Sequence, residues 1–338
     1  MRIKLFNLSA AMLVAFAACN KTETVVVSDG PYEIGLNVVA SAATKPGPAV
    51  DYDPEYYGST LDASEHVIYV AASSTSQPWF LNGQLFSYID MDDTWLGSSD
   101  PGEHAPVYWP AGGESVDFLA YALKTTDTGL TVSFGTNPDT PAAHELTISD
   151  WNTYDKQYDV MYAVKNGQKA SAAGVAMDFK HAQALLSFTA EKMTNDVDIV
   201  VKKITVKDLE YAGTFCVYNG LTQPVAYWED TTHGDKSLFK YDATLTTDLD
   251  FDVTAGIPLQ CARHLLIPEQ TSKVIAVTYE VNGVEFTTEL NLARGVWKMG
   301  YVYEFNLRFN QTEIEIEPSV SDWEDIDPYY SPGGNMDI

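Results

Sequence analysis

The sequence predicts an all-β protein that is built from β-sandwich domains. Three observations lead to this class: short segments in which apolar and polar residues alternate, frequent turn residues between those segments, and very little long helical periodicity. Side chains of a strand point alternately to opposite faces, so this alternation is typical of sheets with one buried and one solvated face. The chain has 338 residues, which is enough for two domains of ordinary size.

The first residues of the sequence predict an export signal. Arg2 and Lys4 are followed by a short, mostly apolar run that ends in small residues just before Cys19. This run is too short to span a bilayer, and its composition is typical of a secretory signal. The small residues directly before Cys19 resemble a lipobox, which predicts a signal peptide over residues 1–18 and a lipid on Cys19. The alternative is a plain secretory signal that is cut near Ala18.

Residues 19–30 are expected to form a polar tether, and the first strand is expected over Tyr32–Ala40. There Ile34, Leu36 and Val38 alternate with Gly35 and Asn37. Further strands of the first half are expected at Val67–Val70, Val116–Ala122, Leu130–Phe134, Leu146–Ile148 and Asp159–Ala163.

A polar, small-residue segment at Lys165–Ala173 suggests a domain boundary. We therefore expect an N-terminal β-sandwich over residues 31–170, a C-terminal β-sandwich over residues 171–327 and a tail over residues 328–338. Strands of the second half are expected at Val175–Phe179, Ala184–Ala190, Val197–Leu209 and Thr214–Tyr218.

No motif for catalysis, phosphate binding or zinc binding is present, and the six histidines lack metal-binding spacing. The sequence therefore predicts neither an enzyme nor a cofactor or metal site. Carboxylates brought together only in space could still hydrolyse glycosides.

Asp90, Asp92 and Asp93 are expected to form an acidic surface turn, with a weak calcium loop as the alternative. The net charge of −27 opposes nucleic-acid binding.

The segment over residues 79–109 is rich in aromatic residues. Trp79, Trp95 and Trp109 could form a platform for stacking sugars, which gives a surface glycan-binding lipoprotein as the alternative function. Large aromatic side chains also fill sandwich cores, and this second interpretation is favoured.

Cys216 and Cys261 both lie in apolar, strand-like sequence, where two buried thiols are favoured over a disulfide.

Several phrases along the chain, taken together, resemble the fimbrillin family, the subunits and pilin-like lipoproteins of type V pili in Gram-negative anaerobes. These phrases are Tyr108–Pro110, Val116–Tyr121, Tyr158–Ala163, Met177–Ala182, Leu186–Phe188, Leu266–Gln270, Trp297–Tyr303 and Val320–Trp323.

The resemblance implies two sandwiches with transthyretin-like topology and export to the outer membrane as a lipoprotein. It also implies proteolytic removal of the anchor with the first strand, here Tyr32–Ala40. A strand from another pilin subunit then fills the groove, and the candidate donor is Thr312–Trp323, with an extension to Ile338 as the alternative. The expected partners are pilin subunits, the membrane through Cys19, and a receptor on a host or bacterial surface.

One feature departs from the family pattern. Processing in that family follows an arginine after the first strand, but this chain has no arginine between Arg2 and Arg263. Lys45 is the candidate processing residue, although Pro46 follows it and opposes trypsin-like cleavage. The sequence therefore predicts a structural, adhesive surface lipoprotein that acts as a pilus subunit or as a tip or anchor protein.

Overall fold

A computed structural model describes residues 32–39, 61, 65–89, 94–136, 144–153, 156–194, 198–219, 224–244, 259–268, 274–291, 297–310 and 314–322. Within these residues every regular element is a β-strand, which confirms the all-β prediction. The first nine strands are β1 (Gly35–Val39), β2 (His66–Ser74), β3 (Leu81–Ile89), β4 (Thr94–Gly97), β5 (Val116–Lys124), β6 (Thr131–Thr136), β7 (His144–Asn152), β8 (Met161–Gln168) and β9 (Val175–Asp178). The other nine are β10 (Lys180–His181), β11 (Ala184–Lys192), β12 (Ile199–Asn219), β13 (Pro224–Thr244), β14 (Leu259–Leu266), β15 (Val274–Val281), β16 (Val284–Asn291), β17 (Tyr301–Phe309) and β18 (Ile314–Asp322). Across the described ranges, no helix has the length and hydropathy needed to cross a bilayer.

The first core lies on one face of an eight-stranded sheet with the order β10-β8-β5-β2-β3-β4-β1-β9. Strands from both ends of this sheet contribute to the same core, including Leu36 of β1, Met177 of β9 and Met161 of β8. Because residues from opposite ends of the sheet share one core, the sheet must curve around it. Phe86 and Phe118 are fully buried there.

A second core covers the opposite face of this sheet. Leu119 and Tyr121 of β5 pack there with Ile148 and Trp151 of β7 and with Phe215 of β12. Both β7 and β12 belong to a six-stranded sheet, in which five strands have the order β16-β15-β12-β7-β6 and the sixth, β13, pairs with β12. The second half of β12 therefore packs with the sheet that contains the first strand.

A third core lies between a four-stranded sheet, with the order β14-β11-β17-β18, and the first half of β12. Phe188 of β11 and Phe305 of β17 stack there with ring centroids 5.2 Å apart. On the other side, β12 contributes Ile204 and Val206, both fully buried.

The strand β12 runs through both the second and third cores. Its first half pairs with β15, its second half pairs with β7, and β13 pairs along its length. The sequence suggested two strands, Val197–Leu209 and Thr214–Tyr218, but the structure has one strand. The interruption between them is accommodated by bulges, with Asp208 in the left-handed region at φ 53°.

The division into domains at residues 170 and 171 remains a prediction, as does transthyretin-like topology. Beyond that position, β9 and β10 still belong to the eight-stranded sheet, and the four-stranded sheet begins its contribution with β11.

The turn after β5 contains a half-buried carboxyl group, Asp127. Burial is the main cause that raises its pKa from 3.8 to about 6, with Lys124 opposing the rise and Asp159 adding to it. A carboxyl group with a raised pKa destabilises the fold at pH values above that pKa. This destabilisation is lost as the pH falls from about 6 towards 4.

We expect Asp127→Asn to raise the free energy of unfolding at pH 7 by about 1 kcal/mol, a figure reduced for solvent screening of this partly exposed group. The gain should disappear near pH 4, where the native carboxyl is already protonated. Urea unfolding at the two pH values measures the difference. A gain that is equal at both pH values would contradict this assignment.

Candidate functional site

The first described strand, β1, lies inside the eight-stranded sheet between β4 and β9. It pairs antiparallel with β4, where Leu36 is opposite Trp95, and parallel with β9, where Leu36 is opposite Val175. Just before β1, the Ile34 N–H donates to the Val107 carbonyl at 2.8 Å, and Tyr32 accepts from the Trp109 N–H at 3.0 Å. The segment over residues 32–39 is therefore hydrogen-bonded along both edges.

One face of this segment fills the first core. Ile34 and Leu36 have no exposed surface, and Tyr32 and Val38 pack against the same core while partly buried. Burying a large aliphatic side chain contributes about 1.5–3 kcal/mol relative to leaving it in water. A chain without this segment would expose a groove with a row of alternating apolar positions and two unpaired strand edges.

The opposite face of the segment lines an open cleft of about 580 Å³. Glu33, Gly35 and Asn37 contribute this face, and Leu96, His104 and residues 172–174 line the rest. His104 Nε2 lies 2.6 Å from Glu33 Oε1, and the Asn37 side-chain amide donates to the Ala173 carbonyl. Both contacts connect β1 to parts of the chain that are distant in sequence.

Gly174 brings the chain close to β1 immediately before β9. Its φ of +74° favours glycine, and a Cβ there would lie only 2.9 Å from the Gly35 carbonyl oxygen. The residues before β9 can therefore cross the cleft face of β1 only with glycine at this position.

The candidate donor segment contains β18, an edge strand of the four-stranded sheet. It pairs antiparallel with β17, with Ile314 opposite Phe309 and Asp322 opposite Tyr301. Ile314 is buried and Glu315 is exposed, as their alternation predicts. Within the described chain, β18 has a neighbour on one edge only.

The three tryptophans of the suggested sugar platform lie in different environments. Trp95 and Trp109 are each 5% exposed and belong to the first core. Trp109 meets Phe118 edge-on, with ring centroids 5.5 Å apart. Trp79 is partly exposed, has a φ of 53° and lies 4.4 Å from the His144 ring. A platform that uses all three faces is therefore not assembled in this arrangement, although the ligand role of these residues remains a prediction.

The other polar candidates in the described part of the chain are a buried thiol and a buried pair of a histidine with a carboxyl group. Cys216 is a buried free thiol whose Sγ lies 3.4 Å from Glu229 Oε1, and burial raises its pKa to about 12, so the reactive thiolate is strongly disfavoured. His181 Nδ1 and Asp159 Oδ1 form a buried pair at 2.7 Å between β10 and the start of β8. In the described part of the chain, no group of three or more histidine, cysteine or acidic residues could hold a metal ion.

Residues 57–323 match the model of the fimbrillin-like family. The chain belongs to that family. The first strand lies before the matched region, and its placement in the sheet comes from the structure alone.

Solved structures with the same fold support the all-β architecture. A candidate cell adhesion protein from Bacteroides uniformis superposes with a TM-score of 0.53 at 14% identity, covering 87% of this chain and 100% of its own. A fimbrial protein from Bacteroides vulgatus superposes with a TM-score of 0.52 at 15% identity, covering 86% of this chain and 99% of its own. Another candidate cell adhesion protein, from Bacteroides ovatus, superposes with a TM-score of 0.50 at 17% identity, covering 87% of this chain and 98% of its own. No curated protein sequence is significantly similar to the chain.

Several predicted residues lie outside the described residues: Cys19, Lys45 and the acidic segment at Asp90, Asp92 and Asp93. Sequence reasoning missed His104, Gly174 and Ala173, all of which contact β1. Glu33 and His104 are 71 positions apart, so no local pattern connects them.

Proposed function

We propose that this fimbrillin-like chain is a cell-surface pilus subunit or pilus-associated adhesin that assembles by exchanging its first strand. The observation that carries the proposal is the position of β1 inside the sheet, with Ile34 and Leu36 filling the core. A strand that is internal to the sheet but is the first described strand can leave without separating the other described strands from one another. A strand from another subunit can then take over its hydrogen bonds and its apolar positions.

The donor in this proposal is the C-terminal segment Thr312–Trp323. Its apolar residues alternate with glutamates, so one face can enter a core while the other remains solvated. Its position as an edge strand also supports the proposal, because within the described residues β18 pairs with β17 and with no other strand.

The proposal places the protein at the outer membrane, tethered by a lipid on Cys19. Several acyl chains bind a bilayer almost irreversibly, since each buried methylene contributes about 0.8 kcal/mol. Lys45 is followed by Pro46 and no arginine is available nearby. For this reason we propose that the tether on Cys19 is retained, whether the chain serves as a repeating subunit or as a tip or anchor protein.

A reversible covalent lock on β1 tests strand exchange in the full chain. Asn37 and Ala176 are exposed partners across the β1–β9 ladder. Neighbouring strands lie about 4.8 Å apart, within the range that a disulfide bridges. We expect Asn37→Cys with Ala176→Cys to abolish the high-mass complexes on gels of unboiled outer-membrane fractions. Reduction before assembly should restore them.

The matched control places the same lock where no exchange is proposed. Thr278 and Thr287 face each other across β15 and β16 with their hydroxyl oxygens 3.0 Å apart, so a cysteine pair there can also close. This control should leave the complexes unchanged. Complexes that survive the oxidised β1 lock would overturn exchange at β1, and a lone monomer band from the unaltered chain would overturn assembly itself.

A further inference from the structure

The groove around β1 keeps fixed features that would meet any strand that replaced it. His104 lies on the segment between β4 and β5, outside the replaceable strand, and contacts Glu33 on the cleft face. A backbone bridge between Ser98 and His104 and a 2.7 Å hydrogen bond from the Ala105 N–H to the Gly97 carbonyl hold this segment against the end of β4. His104 would therefore remain beside the groove after β1 had left.

The position of Gly35 is a second fixed feature. Gly35 is buried, although it lies on the cleft face rather than in the core. A Cβ there would make ordinary contacts at 3.5 Å with Leu96 Cδ2 and Thr94 Oγ1, so a small side chain fits. A carboxylate in this buried position would lose its hydration, which carries a large cost unless a partner compensates it.

These two features restrict how the C-terminal segment can lie in the groove. We consider the segment running in the same direction as β1 with its apolar residues facing the core. Its possible registers are then two residues apart, because a shift of one residue would turn the apolar residues outward. When Glu313 or Glu315 takes the place of Glu33, the next glutamate along occupies the buried position of Gly35. When Glu317 takes the place of Glu33, Ser319 occupies that position and Ser321 takes the place of Asn37.

We infer that His104 selects a donor strand by pairing with an outward carboxylate, and that the buried position of Gly35 admits only a small, uncharged residue two positions later. This inference rests on the proposed strand exchange. Its occupant is residues 316–321 of a second copy of this chain, with Glu317 at His104. The core positions of Tyr32, Ile34 and Leu36 are then taken by Ile316, Pro318 and Val320.

The register has two identifiable costs: Asp322 takes the place of Val38, which packs partly buried against the first core, and Pro318 takes the place of Ile34. Pro318 has no N–H, so the hydrogen bond that Ile34 donates to the Val107 carbonyl is lost.

A peptide exchange experiment on the full chain tests the register. A specific protease sequence inserted between residues 41 and 60 allows the folded chain to be cut, so that β1 is held without a covalent connection. The probe is a synthetic peptide of residues 312–323, and native mass spectrometry measures how much peptide displaces the N-terminal fragment.

We expect Glu317→Gln in the peptide to weaken displacement about threefold, the size typical of a partly exposed contact between a histidine and a carboxylate, while Glu315→Gln has no effect. In a His104→Ala chain, the wild-type and E317Q peptides should displace β1 equally. His104→Glu combined with Glu317→Lys in the peptide should restore displacement, which a purely structural role for His104 would not.

The buried position provides the larger effect. Ser319→Glu should weaken displacement at least about tenfold because its charge is desolvated, whereas Ser321→Glu at the exposed position of Asn37 should weaken it far less. Ser319→Ala should displace as well as the unaltered peptide.

The outcomes separate this inference from the proposed function. Displacement that is sensitive to Glu315 instead of Glu317, or indifferent to Ser319→Glu, would overturn the register while leaving strand exchange intact. Failure of every peptide to displace β1 would overturn the C-terminal segment as donor, and the register with it.

Discussion

Leu36→Ala should release β1 from the eight-stranded sheet about a hundredfold more often than in the unaltered chain. Leu36 has no exposed surface, and truncating a fully buried leucine costs about 3 kcal/mol, which corresponds to roughly two powers of ten in an opening equilibrium. Because β1 is short and is the first described strand, the cost should appear as local opening of this strand. Hydrogen–deuterium exchange of the amides in β1 and of their partners in β9 measures it.

Two control variants distinguish local release from general weakening. Leu307→Ala removes an equally buried leucine from the third core and should lower global stability without opening β1 preferentially. Glu33→Ala changes the cleft face of the same segment and should cost less than about 1 kcal/mol, because its hydrogen bond with His104 is partly exposed. If Leu36→Ala and Leu307→Ala exposed the same amides to the same extent, β1 would not open independently.

The strands could be predicted where the signal is local. Val116–Ala122 falls within β5, and the alternation over Tyr32–Ala40 identified β1 together with the residues that face its core. Alternation works there because the period of a strand is a property of neighbouring residues.

The long hairpin of β12 and β13 could not be predicted in the same way. The sequence predicts two strands in place of β12 because the alternation of apolar residues is interrupted around Asp208, where the structure has a bulge. No strand was predicted over Pro224–Thr244, which pairs with β12 throughout. That pairing depends on a partner elsewhere in the chain, and a polar edge strand has little apolar pattern of its own.

The candidate site shows the same division between local and distant information. The residues of its apolar face could be predicted from the alternation, but the contacts of its cleft face could not. Glu33 meets His104, and Asn37 meets Ala173, only because the sheet brings β1 beside β4 and β9. The residues that would select a donor strand are therefore visible only in the folded chain.

Acid should destabilise the protein through His264, a buried histidine on β14. Burial lowers its pKa from 6.5 to about 3. The Leu265 N–H donates to Gln157 Oε1 at 2.7 Å, which orients the amide so that Gln157 Nε2 faces His264 Nε2 at 3.1 Å. That ring nitrogen therefore accepts a hydrogen bond. A proton on it would leave two N–H donors, that of the ring and that of Gln157, facing each other.

The direction of the pH effect follows from this lowered pKa. The unfolded chain binds a proton at His264 near pH 6.5, whereas the folded chain resists it until about pH 3. The contribution of His264 to stability is complete above pH 6.5 and is lost progressively as the pH falls below it. By pH 4.5 the expected loss is about 3 kcal/mol.

His264→Gln removes the titrating ring while keeping an acceptor for Gln157. Urea unfolding at pH 7.5 and pH 4.5 should show that the variant loses about 3 kcal/mol less stability in acid than the unaltered chain. Comparing the two chains at each pH cancels the titration of all other groups, including the opposite contribution of Asp127. His104→Gln is the control, since its partly exposed pair should change stability by less than about 1 kcal/mol. Equal acid sensitivity in the His264 variant and the unaltered chain would show that this ring is already protonated in the fold or gains a partner for its charge.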